Sequence, residues 1–461
     1  MQRILIMLAA AVLAACGGGS GGGGGGTASG GGGGGTSPPP DTGGPDCSAT
    51  AQKEFVLARM RDVYLWADRL PADIDIADFD TPEALLAELR SFSPPGSGGQ
   101  SVDRFSFIGS AEADAQFFGE GQFAGFGFSS RFEAENDLRF TRVFADSPAA
   151  RAGFERGQRV LEIDGRTIAE IQAAEGINAV FGPSEVGVTR SFRIREPDGS
   201  EFEVSVSKDV VTIDPVPQAR SLDAQGASVG YLEMAQFIGT AEGAGGPLDE
   251  AFSSFDDASV TGLVIDLRYN GGGLVRTAEL LGDYLGWGAA PSEVFSRTRF
   301  NDANSSSNRD ELFQFVAASP VLSDIVFIAT GATASASELV INGMAPHVRV
   351  GIVGEDTFGK PVGQTAEILQ DCDVILRPVA FETVNSLDEG DFFDGLPVDC
   401  PAPDDIRFAI GAADDPALET ALELLTSGSC PLVTASEKAQ VPRRPYRAEP
   451  APPWRSIDGV F

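Results

Sequence analysis

The stretch "GATASASELV", residues 331–340, sets Ser335 and Ser337 beside Glu338. A serine hydroxyl is a weak nucleophile until a base takes its proton. The chain's single histidine, His347, lies in "MAPHVRV" without a glycine loop to expose it, and reads as a packed or surface residue. Arginine stays protonated, which leaves carboxylates and lysines. There are four lysines, Lys53, Lys208, Lys360 and Lys438, and only Lys360 sits in a glycine-rich loop, "TFGKPVGQ". Burial lowers a lysine's pKa and lets the neutral amine act as a base. One of the two serines with Lys360 as its base would perform acyl transfer.

Three continuous apolar runs must position these groups: "VTGLVIDLR", "DIVFIAT" and "VRVGIVG". Each suits a buried parallel strand. They lead into "NGGG", "GATA" and "EDTFGKPVGQT", and the helical stretches "LVRTAELLGDYLG" and "SASELVINGMA" follow the first two. Residues 213–430 therefore read as an α/β domain with its site at the carboxyl ends of the strands. Residues 118–212 read as short alternating strands between Gly, Pro and Asp turns, with "SPAARAG" as a short helix or turn. Residues 47–112 read as a small helical module. In "QKEFVLARMRDVYLWADRL", Phe55, Val56, Met60, Val63, Tyr64 and Trp66 recur helically. A second helix starts with Thr81 as N-cap and Pro82 at its first position, and "SPPGSGGQS" is a break.

The segment "DSPAARAGFERGQRVLEIDG" resembles a PDZ domain. Upstream, "GFGF" at Gly125, Phe126, Gly127 and Phe128 matches that family's carboxylate-binding loop. The order "DLRYNGGG", "TASASE", "GEDTFGKPVGQ" resembles the C-terminal processing peptidases, or tail-specific proteases, over about residues 50–400. The resemblance implies a multidomain α+β chain: a helical module, a β-rich PDZ domain and an α/β protease domain of the crotonase/ClpP-like type. It implies Ser335 as nucleophile, three residues before Glu338, and Lys360, 25 residues on, as base. Gln364 would orient the lysine, and Ser337 would be a helix-start residue. The N–H groups of Ala336 and Gly272 would hold the oxyanion, with Gly271 and Glu338 in support. No cofactor or metal is implied. Implied partners are proteins or peptides with apolar C-termini, and an activating adaptor protein is compatible with the pattern. A catalytically silent PDZ adaptor is the rival reading, though it would not need Ser335, Lys360 and Gln364 together. Two departures from the family pattern are Pro361 directly after the lysine and an all-glycine loop where proline is frequent.

A net charge of −34 argues against nucleic acid or anionic lipid as partners, since both need a positive face. "SVSK" at 205–208 fits a penicillin-binding motif only formally, because it lies in a strand. The acidic stretches "DIDIADFD" and "LDEGDFFDG" lack calcium-loop spacing and read as solvated loops.

Residues 1–16 have the layout of an export signal ending in a lipobox, "LAAC", with Cys16 as the lipidated residue. Residues 17–46 form a Gly- and Pro-rich tether. A lipid-anchored, periplasm-facing protein of the bacterial envelope follows, with the outer membrane favoured by Gly17. Residues 431–461 read as a loosely ordered tail. Cys47, Cys372, Cys400 and Cys430 remain for disulfides, with Cys372–Cys400 the expected bridge.

Overall fold

The computed structural model describes residues 46–431 apart from Glu175. Cys16, the signal, the tether and the tail lie outside the described residues.

The three apolar runs form the centre of a six-stranded sheet. Its order is Gln218–Ala224, Ala227–Glu233, Gly262–Asp266, Asp324–Ala329, Arg349–Gly354 and Cys400–Pro401. Only the first pair is antiparallel. Gly262–Asp266 is buried at every position, as expected of a strand covered on both faces. One face packs on helices Pro247–Asp257, Val275–Gly286 and Ala336–Met344 through Leu263, Ile265, Phe327 and Val340. The other face meets helix Pro416–Ser427 through Val264, Val326, Ile328 and Leu418. Each such side chain contributes about 1.5–3 kcal/mol on full burial. Parallel pairing brings the loops after Asp266, Ala329 and Gly354 to one end of the sheet, where the sequence placed the chemistry.

The PDZ-like unit is a sheet of Phe128–Ala134, Asp137–Val143, Arg159–Ile163, Thr189–Arg195 and Glu201–Ser207, with Arg166–Thr167 paired on Arg159–Ile163. Phe126, Phe128, Phe140, Phe154, Phe181 and Phe192 fill its core. "SPAARAG" supplies the helix Pro148–Arg151, capped by Ser147. "SVSK" ends in a strand, as its alternation indicates. Three arginines join this unit to the α/β domain. Arg131 and Arg156 reach Asp404 at 2.5 and 2.7 Å, and Arg142 reaches Glu233 at 2.7 Å.

The N-terminal module has the expected helices, Ala49–Val63 and Pro82–Ser91, the second capped by Thr81 with Pro82 at its start. Trp66 falls outside the first helix, which ends at Val63; its ring meets Tyr64 edge-on at 5.4 Å. The module also supplies a strand, Phe107–Gly109, that pairs with Val374–Arg377 of the α/β domain. Val56, Met60, Tyr64, Leu85, Leu89 and Phe105 share one core cluster with Val362, Leu376 and Val379.

The disulfides correct the expected Cys372–Cys400 bridge: Cys47 pairs with Cys372, and Cys400 with Cys430. Cys372 lies in the turn between strands Glu367–Leu369 and Val374–Arg377, beside the start of the module's first helix. Cys400 lies in the outermost strand of the central sheet, next to the chain leaving helix Pro416–Ser427. The two expected partners thus belong to different sheets. Each observed bridge ties the first or last described segment onto the α/β domain.

No helix of the described residues is long and apolar enough to cross a membrane. Among the acidic stretches, Asp75 caps a helical turn by accepting from Ala77 N–H, and Asp388 pairs with Arg297.

Candidate active site

Ser335 stands at the N-terminus of helix Ala336–Met344, partly exposed, with φ of +58°. A non-glycine residue at positive φ is strained, and the strain here turns a side chain out of a strand-to-helix junction. The carboxylate of Glu338 holds it in place. Glu338 is fully buried and accepts from Ser335 N–H (2.9 Å), Lys360 N–H (2.8 Å), Gly359 N–H (2.7 Å) and Thr357 Oγ1 (2.5 Å). Burial raises its pKa, and these four donors oppose that rise. One carboxylate therefore fixes the backbone of both Ser335 and Lys360.

The lysine loop needs Gly359, whose φ is +91° and where a Cβ would fall 2.4 Å from the Phe393 carbonyl. Lys360 Nζ donates to Gln364 Oε1 at 2.6 Å, its one hydrogen-bond partner among the described residues. Burial, helped by Arg377, lowers the Lys360 pKa to about 8 against the opposing pull of Asp103 and Glu338. Gln364 ends the edge strand Val362–Gln364, where a register shift re-aims its side chain. Both amide hydrogens are used, on the carbonyls of Phe105 (2.7 Å) and Arg377 (2.9 Å). Its oxygen is thereby turned to the lysine. Pro361, which lacks an N–H, sits just ahead of this edge strand, where Pro is tolerated, and its carbonyl accepts from Thr383 N–H at 3.1 Å.

The "NGGG" loop comes against Ser335. A Cβ on Gly272 would lie 2.8 Å from both Ser335 Cβ and Ala336 N, and φ there is +102°. Glycine is what permits this approach. The Gly272 N–H, however, donates to Asn270 Oδ1 at 2.9 Å. Ala336, at the first position of its helix, directs its N–H to no acceptor among the described residues. Asn270 is fully buried: Nδ2 donates to Met234 O, and its own carbonyl accepts from Ala334 N–H and Ser337 Oγ. Ser337 lies inside the helix and braces this loop, beyond the helix-start role expected of it.

Several supports carried no role in the sequence reading. Arg268 is buried against Asp266, Asp404 and Asp415 beneath the "NGGG" loop. Burial alone would raise Asp404, but Arg156, Arg131 and Arg268 hold its carboxyl well below the usual carboxylate range. The charged pattern "DLR" was the available signal. Arg104 and Phe105 fell inside the helical module read over residues 47–112, and no local signal set them apart. His347 bonds Val294 O at 2.9 Å and packs on Phe313, a structural placement.

The "GFGF" loop ends strand Gln122–Gly125, and Phe126 and Phe128 point into the phenylalanine core. Gly127 has φ of +86°, and a Cβ there would strike Ser147 Cβ at 2.1 Å. A cavity of about 560 Å³ opens between strand Phe128–Ala134 and helix Ile168–Ala174, lined by Phe132, Ala134, Ala169 and Ala173 among others.

Comparison with known proteins matches residues 228–386 to peptidase family S41, residues 51–107 to the peptidase S41 N-terminal domain and residues 139–177 to a PDZ domain. A carboxy-terminal-processing protease of Bartonella bacilliformis is 28% identical over 53% of this chain and 54% of its own length. The match thus spans about half of that relative. A carboxyl-terminal-processing protease of Synechocystis is 26% identical over 67% of this chain and 70% of its own length. The crystal structure of a putative S41 protease from Bacteroides fragilis superposes with a TM-score of 0.62 at 23% identity, covering 81% of this chain and 97% of that one, a likeness of fold. Residues 228–386 thus form a peptidase S41 domain, preceded by the S41 N-terminal domain and a PDZ domain.

Proposed function

We propose that this chain is a serine endopeptidase that processes protein C-termini, with Ser335 as nucleophile and Lys360 as base. The observation that carries this is the joint anchoring of Ser335 and of a desolvated, Gln364-bonded Lys360 on the single carboxylate of Glu338. The neutral amine accepts the Ser335 Oγ proton as Oγ attacks the scissile carbonyl carbon. The oxyanion is received by the Ala336 N–H together with an N–H of the Gly271–Gly273 segment, each donor contributing about 2.7–4 kcal/mol. With its N–H on Asn270, Gly272 serves by its missing Cβ, and Gly271 or Gly273 supplies the second donor. The Lys360 ammonium then protonates the departing amine, leaving an ester on Ser335. Water attacks this ester, giving its proton to Lys360, and that proton returns to Oγ as the acid leaves.

In the same reading the PDZ domain receives an apolar C-terminal tail at Gly125–Phe128 and lays the upstream residues along the groove beside Ile168–Ala174. Attachment through Cys16 would place the enzyme on the periplasmic side of the envelope. The test compares the full-length chain with Ser335→Ala on an unfolded protein ending in apolar residues, with products followed by mass spectrometry. Cleavage by wild type alone is expected. Equal cleavage by both would remove Ser335 from the mechanism, and tail binding without cleavage by either would favour the adaptor.

A further inference from the structure

The base's pocket is closed by a residue from outside the protease domain. Phe105 belongs to the N-terminal module, and its ring centroid lies 5.6 Å from Lys360 Nζ. Its carbonyl takes one of the two Gln364 amide hydrogens at 2.7 Å. The flanking residues fix it rigidly. Asp103 accepts from Tyr64 Oη, Phe105 N–H, Ser106 N–H and Ser106 Oγ at 2.7–3.0 Å. Arg104 Nη2 donates to the carbonyls of Phe358, Gly359 and Phe393 at 3.1 Å each, thus gripping the residues just before Lys360. The Arg104 guanidinium also lies over the Phe105 and Phe358 rings at 5.1 and 4.9 Å.

We propose that Phe105 is a positioning residue for the serine–lysine chemistry, its carbonyl orienting Gln364 and its ring roofing the Lys360 amine against water. The proposal rests on the serine–lysine reading and extends it across a domain boundary: the protease domain holds the base but not its roof.

The roof acts on Lys360 in two opposite ways. Excluding water disfavours the ammonium and can lower a buried lysine's pKa by up to roughly 3–5 pH units. The ring face attracts an ammonium, an effect equivalent to about one unit. Exclusion wins, in keeping with the lowered value at Lys360. The other charged groups that act on the amine are Arg377, which is paired with Asp114, together with Asp103 and Glu338. Arg104 lies over the same Phe105 ring.

Because the chain has four lysines, the ionisation of each can be followed by NMR of carbon-labelled lysine in the full-length protein. Lys360 is assigned by the signal missing in Lys360→Gln. Phe105→Ala is expected to raise the Lys360 midpoint by at least one pH unit. Activity on fluorescent casein should fall roughly tenfold at pH 7 and recover at pH 10. Phe105→Met, which keeps an apolar roof, should hold the midpoint within half a unit of wild type. If Phe105→Ala does not fold, Phe105→Gln replaces it, filling similar space with a polar amide, and the same upward shift is expected. An unchanged midpoint in the folded variant, or an equal loss of activity at every pH, overturns the proposal. The underlying reading fails separately, if Ser335→Ala still cleaves casein or wild-type Lys360 titrates with the other lysines.

Discussion

Lys53, in the first helix of the N-terminal module, and Lys360, which faces that module's Phe105, are buried to the same degree, 8% and 9% exposed. Their partners differ. Lys53 Nζ donates to two main-chain carbonyls, Ile76 at 2.9 Å and Phe79 at 2.8 Å, and so ties the first helix of the module to the turns after it. Lys360 has one acceptor, a side-chain amide oxygen whose nitrogen is committed elsewhere. Under the proposed serine–lysine mechanism, depth is therefore not what separates Lys360 from Lys53; the number of acceptors offered to the amine is. A lysine supplied with carbonyls is a crosslink, and one left with a single amide keeps a lone pair for chemistry.

The strongest test of this contrast removes each amine. Lys360→Met should lower kcat by at least about 10⁴-fold, as should Ser335→Ala, because members of a nucleophile–base unit fail together. Wild-type kcat/KM should rise about tenfold per pH unit on the acid side and level off above a pH of about 8, since only the neutral amine accepts the proton. A flat profile from pH 6 to 10 would contradict Lys360 as base.

Next in size is the bridge that clamps the module against the Lys360 side. Cys47→Ser opens a loop of 325 residues, and Cys400→Ser one of 30. On the chain-entropy model these are worth about 6 and about 4 kcal/mol. Denaturant unfolding should find Cys47→Ser the less stable of the two variants.

Gln364→Ala should lower kcat by about 10²-fold through loss of orientation. Gln364→Glu should instead move the pH midpoint upward by 1–3 units, since a carboxylate favours the ammonium. The smallest effect belongs to Lys53→Met, which leaves two carbonyls unpaired and should cost about 1–3 kcal/mol of stability. The pH midpoint of activity should not move, and a shift comparable to that of Gln364→Glu would erase the distinction between the two lysines.

The legible parts of this molecule were those whose signal is local. Buried parallel strands appear as unbroken apolar runs, and the glycine loops after them mark backbone brought close to a reacting group. Ser335, Lys360 and Gln364 were singled out because their motifs follow one another in order, and the structure links them through Glu338 and the Lys360–Gln364 hydrogen bond. What escaped notice depends on partners distant in sequence. The bridge Cys47–Cys372 follows from a shared three-stranded sheet that no periodicity announces. Phe107–Gly109 is too short to stand out as a strand without Val374–Arg377 beside it. The engagement of Gly272 N–H by Asn270 depends on a turn whose geometry three successive glycines leave open.

That three-stranded sheet also sets a timetable. Phe105 and Gln364 lie 259 positions apart, and the strand that docks the module, Val374–Arg377, comes later still. A chain emerging from the ribosome can form the helices of its module early, because their contacts are local. The carbonyl that orients Gln364 must wait until most of the polypeptide has been made. Until then the serine of the proposed hydrolase has no properly held base, and the site is armed only when the module meets the later strands.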